Sequence, residues 1–218
     1  NFTYNIESPR QKALHHIIRT EYFERLKNGG KLIIQYAAQL NARQEFDIRR
    51  GGRSNIPALN LRLQTHTADF VFQHISKRSH HYKVGVNVLF QNNYNVPGTG
   101  IRPILPDYNT WSAGVFVTEK YKIGKWKLEA GGRYDFKYID TERFNRYNVL
   151  EGNKFTFNNV GLTLGAIFSA KENIQYKTNI GSAFRAPNVY ELLSDGVHQS
   201  ASTIEEGNIN LKSEQSIK

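Results

Sequence analysis

The chain has 218 residues, enough for one domain with a sizeable core or for part of a larger one. A hydrophobic fraction of 39% and a mean hydropathy of −0.56 exclude a helical membrane protein, and the absence of cysteine excludes a disulfide scaffold or a thiolate metal site. The net charge of +10 raises the possibility of nucleic-acid binding, but the charges alternate along predicted strands and no nucleic-acid-binding motif accompanies them, so we expect no nucleic-acid partner.

About nine segments alternate apolar and polar residues, which is the signature of β-strands. One segment, Leu59 to Gln73, changes its apolar phase near Ala68, which predicts a β-bulge there. The segments identified, in chain order, are about Ser8–Leu26, Leu32–Glu45, the less clean Leu59–Gln73, Tyr82–Gln91, Trp126–Tyr138, Val160–Phe168 and Ile174–Ile180.

The segment Trp126–Tyr138 separates its two faces most cleanly. Its even positions are all apolar or Gly, whereas its odd positions carry five charges, Lys127, Glu129, Arg133, Asp135 and Lys137. A charge facing lipid at the membrane midplane costs roughly 2–4 kcal/mol. The polar face is therefore expected to look into a wet or protein-filled lumen.

The connections between the segments alternate in length. Short ones are Lys27–Gly30, Ser76–His81, Tyr121–Lys125 and Lys171–Asn173, and long ones are Phe46–Ala58, Asn92–Asn109, Asp140–Phe157 and Ala186–Asn210. A meander with tight turns at one end and long loops at the other is typical of a bacterial outer-membrane barrel. Aromatic residues are expected near both ends of the strands, as girdles at the membrane interfaces, although aromatics are also common in any strand.

Two motifs near the end of the chain resemble the paired boxes of TonB-dependent outer-membrane receptors. The first is Phe184-Arg185-Ala186-Pro187, and the second is Asn208-Ile209-Asn210-Leu211, with Ile where Pro is frequent in the family. Weaker likenesses occur in Ser8-Pro9-Arg10-Gln11, in Asn41-Ala42-Arg43-Gln44-Glu45 and in Gly131-Gly132-Arg133-Tyr134-Asp135. The resemblance covers essentially the whole chain.

This resemblance implies an all-β, antiparallel meander that forms part of a large transmembrane β-barrel, about nine of roughly twenty-two strands. It also implies an N-terminal plug domain in the lumen and energy supplied by TonB through an N-terminal box. The sequence contains neither, so we expect residues 1–218 to be a partial barrel that depends on further strands at both edges.

The first box is expected to be structural, because Pro187 ends a strand, Phe184 belongs to the apolar face and Arg185 points inward. Arg185 is also a candidate contact for plug carboxylates or for a ligand. Arg133, on the polar face of its strand, is a second candidate ligand contact.

His198 lies between the two boxes, where haem receptors of the family place a ligand His. Imidazole can ligate haem iron or a metal such as zinc, so His198 is a candidate ligand and metal residue. An exposed loop His usually has no such role. The adjacent pairs His15-His16 and His80-His81 cannot chelate from one strand, because neighbouring side chains point to opposite faces.

Arg43, Arg49, Arg50 and Arg53 cluster at the first long loop. Arg favours carboxylate and phosphate, so these residues are candidates to bind an anionic ferric siderophore, lipopolysaccharide phosphates or the plug, with a solvated loop as the alternative. Arg43 is the member that we carry forward as a ligand contact.

These observations predict an outer-membrane protein for TonB-dependent uptake of a scarce iron-bearing ligand, ferric siderophore or haem, with haem as cargo and no cofactor. A passive porin-like or adhesin-like barrel, a receptor for zinc, cobalamin or oligosaccharide, and a soluble β protein are the alternatives. No Ser/His/Asp arrangement or phosphate loop is present in the sequence, so we do not expect an enzyme. Expected partners are TonB, the plug, lipid and lipopolysaccharide.

Overall fold

The structure, a computed structural model, describes residues 9–27, 29–48, 52–75, 80–144, 147, 149–198 and 203–218, with only the backbone of residues 75, 144, 197 and 198. Strands dominate these ranges, and a short helix follows the eighth strand. The elements are β1 Arg10–Arg25, β2 Gly30–Phe46, β3 Leu59–Ile75, β4 His80–Asn95, β5 Asp107–Ile123, β6 Trp126–Phe144, β7 Leu150–Lys171, β8 Ile174–Arg185, α1 Val189–Leu193, β9 Asp195–His198, β10 Thr203–Glu206 and β11 Glu214–Ile217.

Nine of the described strands form one sheet in the order β1-β2-β3-β4-β5-β6-β7-β8-β11, while β9 and β10 form a separate hairpin. Each strand from β1 to β7 pairs antiparallel with the next along the chain, and β8 pairs antiparallel with β11. The predicted all-β meander of about nine strands is therefore confirmed. Among the described residues, no helical segment has the length and hydrophobicity of a membrane span.

The register places the apolar positions of successive strands side by side on one face. One such row runs Val84–Val117–Gly132–Leu162 across β4 to β7. Val117 and Leu162 are 50% and 60% exposed, which is what a surface built to meet lipid requires. We call this apolar face the outer face.

Aromatic rings cross the outer face toward the end of the sheet that carries the long loops. His66, Phe90, Trp111 and Tyr138 share one row across β3 to β6. The ring centroids of Phe90 and Trp111 are 4.3 Å apart, and the Tyr36 hydroxyl lies 2.8 Å from Nδ1 of His66. At the opposite end, Trp126 packs against Phe168 with centroids 4.7 Å apart. Rings at both ends of the apolar band match the girdles of a membrane barrel.

The opposite, inner face is polar at mid-height. Its register aligns Glu21, Gln35, Asp69, Asn87 and Asp135 in one row across the sheet, with Gly114 as the single gap. We call this row the polar belt. Charged and amide groups in such number require water or a protein partner, so the expectation of a polar lumen is met by the arrangement of the faces.

The predicted alternation of short and long connections holds with one correction. Residues 26–29, 76–79, 124–125 and 172–173 link strands at one end, and Gly124 has the positive φ of 54° that its two-residue turn needs. At the other end, residues 47–58, 96–106 and 186–213 are long links. Asp140–Phe157 was wrongly expected to be a long loop. It is mostly strand, because β6 and β7 continue their pairing to Phe144 and Leu150.

The β-bulge predicted near Ala68 is also wrong. Ala68 pairs with Tyr36 and Val88 in unbroken ladders, and the described irregularity lies elsewhere, between Ser169 and Lys171. The apolar phase changes because the surroundings of the strand change along its length. Beyond the aromatic row, Arg62 and Gln64 face outward, while Leu61 faces inward and is in contact with other protein atoms.

A charge on the lipid-facing surface should be far more costly than one on the inner face. In the complete barrel, Leu162→Lys is expected to lower the free energy of unfolding by about 2–4 kcal/mol, because the new ammonium lies near the middle of the apolar band. The matched control is Asn179→Lys, which places the same group on the exposed inner face of the adjoining strand. Denaturant unfolding in lipid vesicles measures both. Equal losses for the two variants would contradict the assignment of the faces.

Candidate functional site

Arg185 joins the two sequence boxes. Its Nη1 donates to both carboxylate oxygens of Glu191, at 2.7 and 2.8 Å, and its Nε and Nη2 donate to those of Glu214, at 3.0 and 2.9 Å. Paired guanidinium–carboxylate bonds of this kind are the strong form of the interaction. Arg185 is thus a clamp between the segment after the first box and the start of β11. These contacts favour a structural role for the box, and both this role and ligand contact by Arg185 stay predictions.

Helix α1 begins with a capping box that uses the same carboxylate. The Asn188 side chain accepts from Glu191 N at 3.0 Å, and Glu191 Oε2 accepts from Asn188 N at 3.0 Å. The bond from the Asn188 backbone, followed by the one from Arg185, holds the pKa of Glu191 below its usual range. Glu191 is therefore ionised at neutral pH and serves the helix end and the clamp together.

The apolar side of α1 packs on the inner face of the sheet. Val189, Leu192 and Leu193 are buried against Ile139, with the rings of Tyr108, Phe155 and Phe157 around them. Lys137 Nζ donates to Pro187 O at 2.8 Å, which ties the first box to β6. This cluster is the buried hydrophobic core of the described residues, and it lies at the end with the long loops.

Phe184 does not lie on the outer face, as the sequence analysis expected. Regular pairing of β7 with β8 ends at Gly181, and beyond it the Ser182 side chain accepts a hydrogen bond from Leu162 N at 3.0 Å. An added Cβ on the inward-facing Gly161 would lie 3.4 Å from the Phe184 ring. The ring is therefore on the inner side, because the strand leaves the ladder before its alternation reaches Phe184.

The second box closes against the end of α1. Gly207 N donates to Ser194 O at 2.7 Å, and Asn208 N donates to Glu191 O at 2.9 Å. A Cβ added at Gly207 would lie 2.5 Å from Leu193 N, closer than real Cβ atoms come to backbone. Only glycine permits this approach, so the position just before the second box has a packing reason for its glycine.

A cavity of about 190 Å³ lies beside this connection, between the upper ends of β2 to β4, the 96–106 loop and the α1–β10 segment. We call it the vestibule cavity. Its wall is mainly apolar, and charged or hydroxyl-bearing side chains complete it. The apolar members are Leu59, Leu61, Val96, Ile101, Ile104 and Leu105, and the polar ones include Arg43, Glu45, Arg102, Tyr190 and Glu205.

Arg43 is the one predicted site residue that lines this cavity within the described chain. Its Nη2 lies 2.5 Å from Oε1 of Glu45, a buried carboxylate that also accepts from Gln11 Nε2 at 3.1 Å. Of the other arginines of the first loop, Arg53 is exposed in a 3-10 turn, and Arg49 and Arg50 lie outside the described residues. The predicted arginine cluster is thus represented at the cavity by Arg43.

The far side of the cavity is held by hydrogen bonds between loops. Glu205 accepts from the Tyr190 hydroxyl, and this bond raises the pKa of Tyr190. Asp195 accepts from Arg102 at 3.1 Å, lies 3.5 Å from Arg143, and donates its backbone N–H to Ile104 O at 3.1 Å. The 96–106 loop is therefore fastened to the segment after α1.

Arg133 is away from the vestibule cavity, within the polar belt. It binds both carboxylate oxygens of Asp135 and donates from Nη2 to Asn87 Oδ1 at 3.2 Å. Gly114 makes room for it, since a Cβ there would lie 2.8 Å from Arg133 Nη2. The structure does not bring Arg133 together with Arg43 or Arg185.

His198 ends β9, and its backbone pairs with Thr203. Its side chain lies outside the described residues, so its predicted roles toward haem or a metal stay predictions. Within the described ranges, no group of three His, Asp or Glu side chains is close enough to hold a metal ion.

Sequence reasoning missed most of the cavity wall, notably Leu61, Arg102, Tyr190 and Glu205. A signal was present for Leu61, because leucines at 59, 61 and 63 occupy the inward phase of a strand whose outward positions are polar. No period marks the 96–106 loop, so nothing in the sequence placed Arg102 and Ile104 beside the α1 segment.

Removing the clamp should loosen the whole connection between the boxes. Arg185→Ala is expected to speed protease cleavage within residues 186–213 about three- to tenfold, because the capping box and β11 lose their common partner. Arg19→Ala is the control, since it removes an arginine from an exposed ion pair with Glu21 elsewhere on the sheet. Timed proteolysis of the folded receptor measures both. Unchanged cleavage in Arg185→Ala would refute the clamp.

The clamp should also respond to acid. The pKa of Glu191 is lower in the folded protein than in the unfolded chain. Its contribution to stability is therefore present above the pKa of the unfolded chain, near 4.3, and is lost as pH falls through the pKa of the folded protein. Amide protection of Ser194, which bonds to Tyr190 O, should therefore decrease only below about that pH. Hydrogen exchange corrected for intrinsic rates measures this. Glu191→Gln should lack the transition and start with lower protection, and an identical acid transition in this variant would contradict the assignment.

Comparison with known proteins gives a consistent family and fold. The family description "TonB dependent receptor-like, beta-barrel" matches residues 4–218, whereas none of the curated protein sequences matches. Among solved structures, the FrpB iron transporter from Neisseria meningitidis (F3-3 variant) aligns with a TM-score of 0.66 at 15% identity, over 94% of this chain and 32% of that one.

Two further structures share the fold. The siderophore receptor PiuA from Acinetobacter baumannii aligns with a TM-score of 0.68 at 14% identity, over 95% of this chain and 37% of that one. The copper transporter OprC aligns at 0.52 and 12% identity, over 95% and 35%. This chain therefore spans between 32% and 37% of the length of the three proteins. With the family matched over residues 4–218 and nine strands in one apolar-outside meander, the chain belongs to the TonB-dependent receptors and forms part of a β-barrel in the outer membrane.

Proposed function

We propose that this chain serves the TonB-dependent active uptake of a scarce iron-bearing ligand, a ferric siderophore or haem, across the bacterial outer membrane. It supplies barrel wall and part of the extracellular surface that first meets the ligand. The observation that carries the proposal is the vestibule cavity, which lies at the long-loop end and whose far side is held by the Tyr190–Glu205 and Arg102–Asp195 bonds.

The composition of the cavity suits a ligand with both apolar and anionic parts. Leu61 and Ile104 offer apolar contacts, while Arg43 and Arg102 offer guanidinium groups at its edge. Both arginines are already paired with carboxylates, so a ligand carboxylate or phenolate would exchange with Glu45 or Asp195. Such exchange favours ligands that carry several acidic oxygens, as ferric siderophores do.

The polar belt supports a lumen filled by a plug domain. Asp69, Asn87 and Asp135 surround the Arg133 guanidinium and leave carboxylate and amide oxygens facing the lumen. In this proposal a plug pairs with these groups, and TonB acts on the receptor through an N-terminal segment. Arg133 then contacts the plug, or the ligand as it passes.

Structures that share this fold differ in cargo. FrpB and PiuA are an iron transporter and a siderophore receptor, while OprC is a copper transporter on the same fold. Zinc, cobalamin and oligosaccharide are further candidates, and a passive porin-like or adhesin-like barrel is the alternative mode. We infer a binding and transport role and no catalysis.

Uptake separates active from passive transport. Cells that carry the complete receptor should accumulate a labelled ferric siderophore or haem only when TonB is present, because active uptake needs its energy. Leu61→Trp, which fills part of the vestibule cavity, should reduce ligand affinity about tenfold or more, since a bulky ring displaces the ligand from a small pocket. Leu162→Trp on the outer face is its control. Accumulation that continues unchanged without TonB would rule out the active mode.

The role of His198 is tested by haem titration of the complete receptor. If His198 ligates the iron, His198→Ala should weaken haem binding about tenfold or more and shift the haem absorption spectrum, because an axial ligand is lost. His81→Ala is the control, on the strand end with the short turns. Equal affinity and spectra in wild type and His198→Ala would remove His198 from the site.

A further inference from the structure

A group of cations faces outward just above the apolar band on one side of the sheet. Lys12 on β1 and Arg62 on β3 are exposed and face outward. They lie in two adjoining rows that run across β1, β2 and β3. Arg10 lies one outward position above Lys12, with its guanidinium 4.4 Å from the centroid of the Phe46 ring. We call Arg10, Lys12 and Arg62 the rim cations.

Their height follows from the register. The row below Lys12 contains Leu14 and Ala42, which are apolar, and continues to Arg62. The aromatic row of His66, Phe90 and Trp111 lies two outward positions lower on β3. The rim cations therefore stand where lipid chains end and headgroups begin, at the end with the long loops.

No carboxylate shares this part of the outer face among the described residues. Outward positions of β2 and β3 carry no Asp or Glu, and Glu24 of β1 lies at the opposite end of that strand. The nearby Asp47 accepts a hydrogen bond from Ile48 N at 2.7 Å within its own loop. By contrast, the outward positions at the long-loop end of β5 and β6 carry the acidic residues Asp107, Asp140 and Glu142. The positive charge is thus segregated to the β1–β3 side.

The groups between the cations are also suited to a polar headgroup. Gln44 and Asn60 face outward in the same row as Lys12, and their amides can donate to phosphate or sugar oxygens. Lys12 and Arg62 are separated by one strand, so their Cα atoms are on the order of 10 Å apart. Two long flexible side chains at that separation can bind one phosphorylated headgroup together.

We propose that the rim cations form a binding site for the phosphate groups of lipopolysaccharide, the anionic glycolipid of the outer leaflet. The site uses Lys12 and Arg62 as phosphate partners, Arg10 as a stacked guanidinium at its upper edge, and the apolar residues Leu14 and Ala42 as the contact for the first acyl carbons. It depends on the barrel's place in the outer membrane and is independent of the cargo.

The test is binding of purified lipid A to the complete receptor in detergent, measured by native mass spectrometry. Each cation near a charged lipid surface contributes about fivefold to affinity, so Lys12→Ala/Arg62→Ala should weaken lipid A binding about twentyfold. Lys127→Ala is the matched control, because it removes a lysine from the inner face near the short turns. Arg62→Lys should keep most of the binding, and heat-dependent gel mobility verifies that each variant is folded.

Lipid A stripped of its phosphates should bind wild type as weakly as intact lipid A binds the double variant. The proposal is overturned if the double variant binds intact lipid A as well as wild type does, or if the stripped lipid binds wild type equally well. It is also overturned if Lys127→Ala causes the same loss, since binding would then follow net charge. None of these outcomes bears on ligand uptake, which the TonB-dependent assay measures separately.

Discussion

The backbone ladder is the constraint on which the rest of this structure depends. Lipid offers no hydrogen-bond partner, so each N–H and C=O within the apolar band must be paired by a neighbouring strand. The ladders from β1 to β7 meet this demand without a described break, whereas the β7–β8 ladder has an irregularity between Ser169 and Lys171 and ends at Thr163 and Gly181. Where the pairing is unbroken, side chains keep strict alternation, and the chemistry of each face follows from the parity of residue number.

Beyond the aromatic row, backbone groups no longer need a neighbouring strand as their partner, and the vestibule cavity lies in this part of the structure. Water and loops can satisfy polar groups at that height, so β3 turns polar residues outward and Leu59 and Leu61 inward. The same freedom lets the chain leave β8, form α1 on the inner face and return as β11. The buried core and the vestibule cavity therefore share one end of the barrel wall, remote from the midplane.

The periodic parts of the fold could be predicted from the sequence, and the aperiodic parts could not. Trp126–Tyr138 was predicted correctly because one face is apolar or Gly throughout and the other carries five charges, and the pairing of β6 with β5 and β7 keeps that parity. Ala68 was misread because a change of environment along a continuous strand has the same pattern as a bulge. Phe184 was misplaced because β8 leaves its ladder with β7 at Gly181, where the Ser182 side chain takes the hydrogen bond from Leu162 N. Arg43 was singled out from the sequence and lines the cavity, but the other lining residues Tyr190 and Glu205 come from a segment with no period.

The bonds that fasten the two boxes also divide a long connection into short closed loops. Arg185 and Glu214 close its ends, while Glu191 with Asn208 and Ser194 with Gly207 close smaller circuits inside it. Loop-closure entropy grows only slowly with length, but a free segment of this size would still lose conformational entropy upon capturing a ligand. Here that loss occurs during folding. The surface beside the cavity is therefore preorganised, and a ligand that binds it can convert more of its contact energy into affinity.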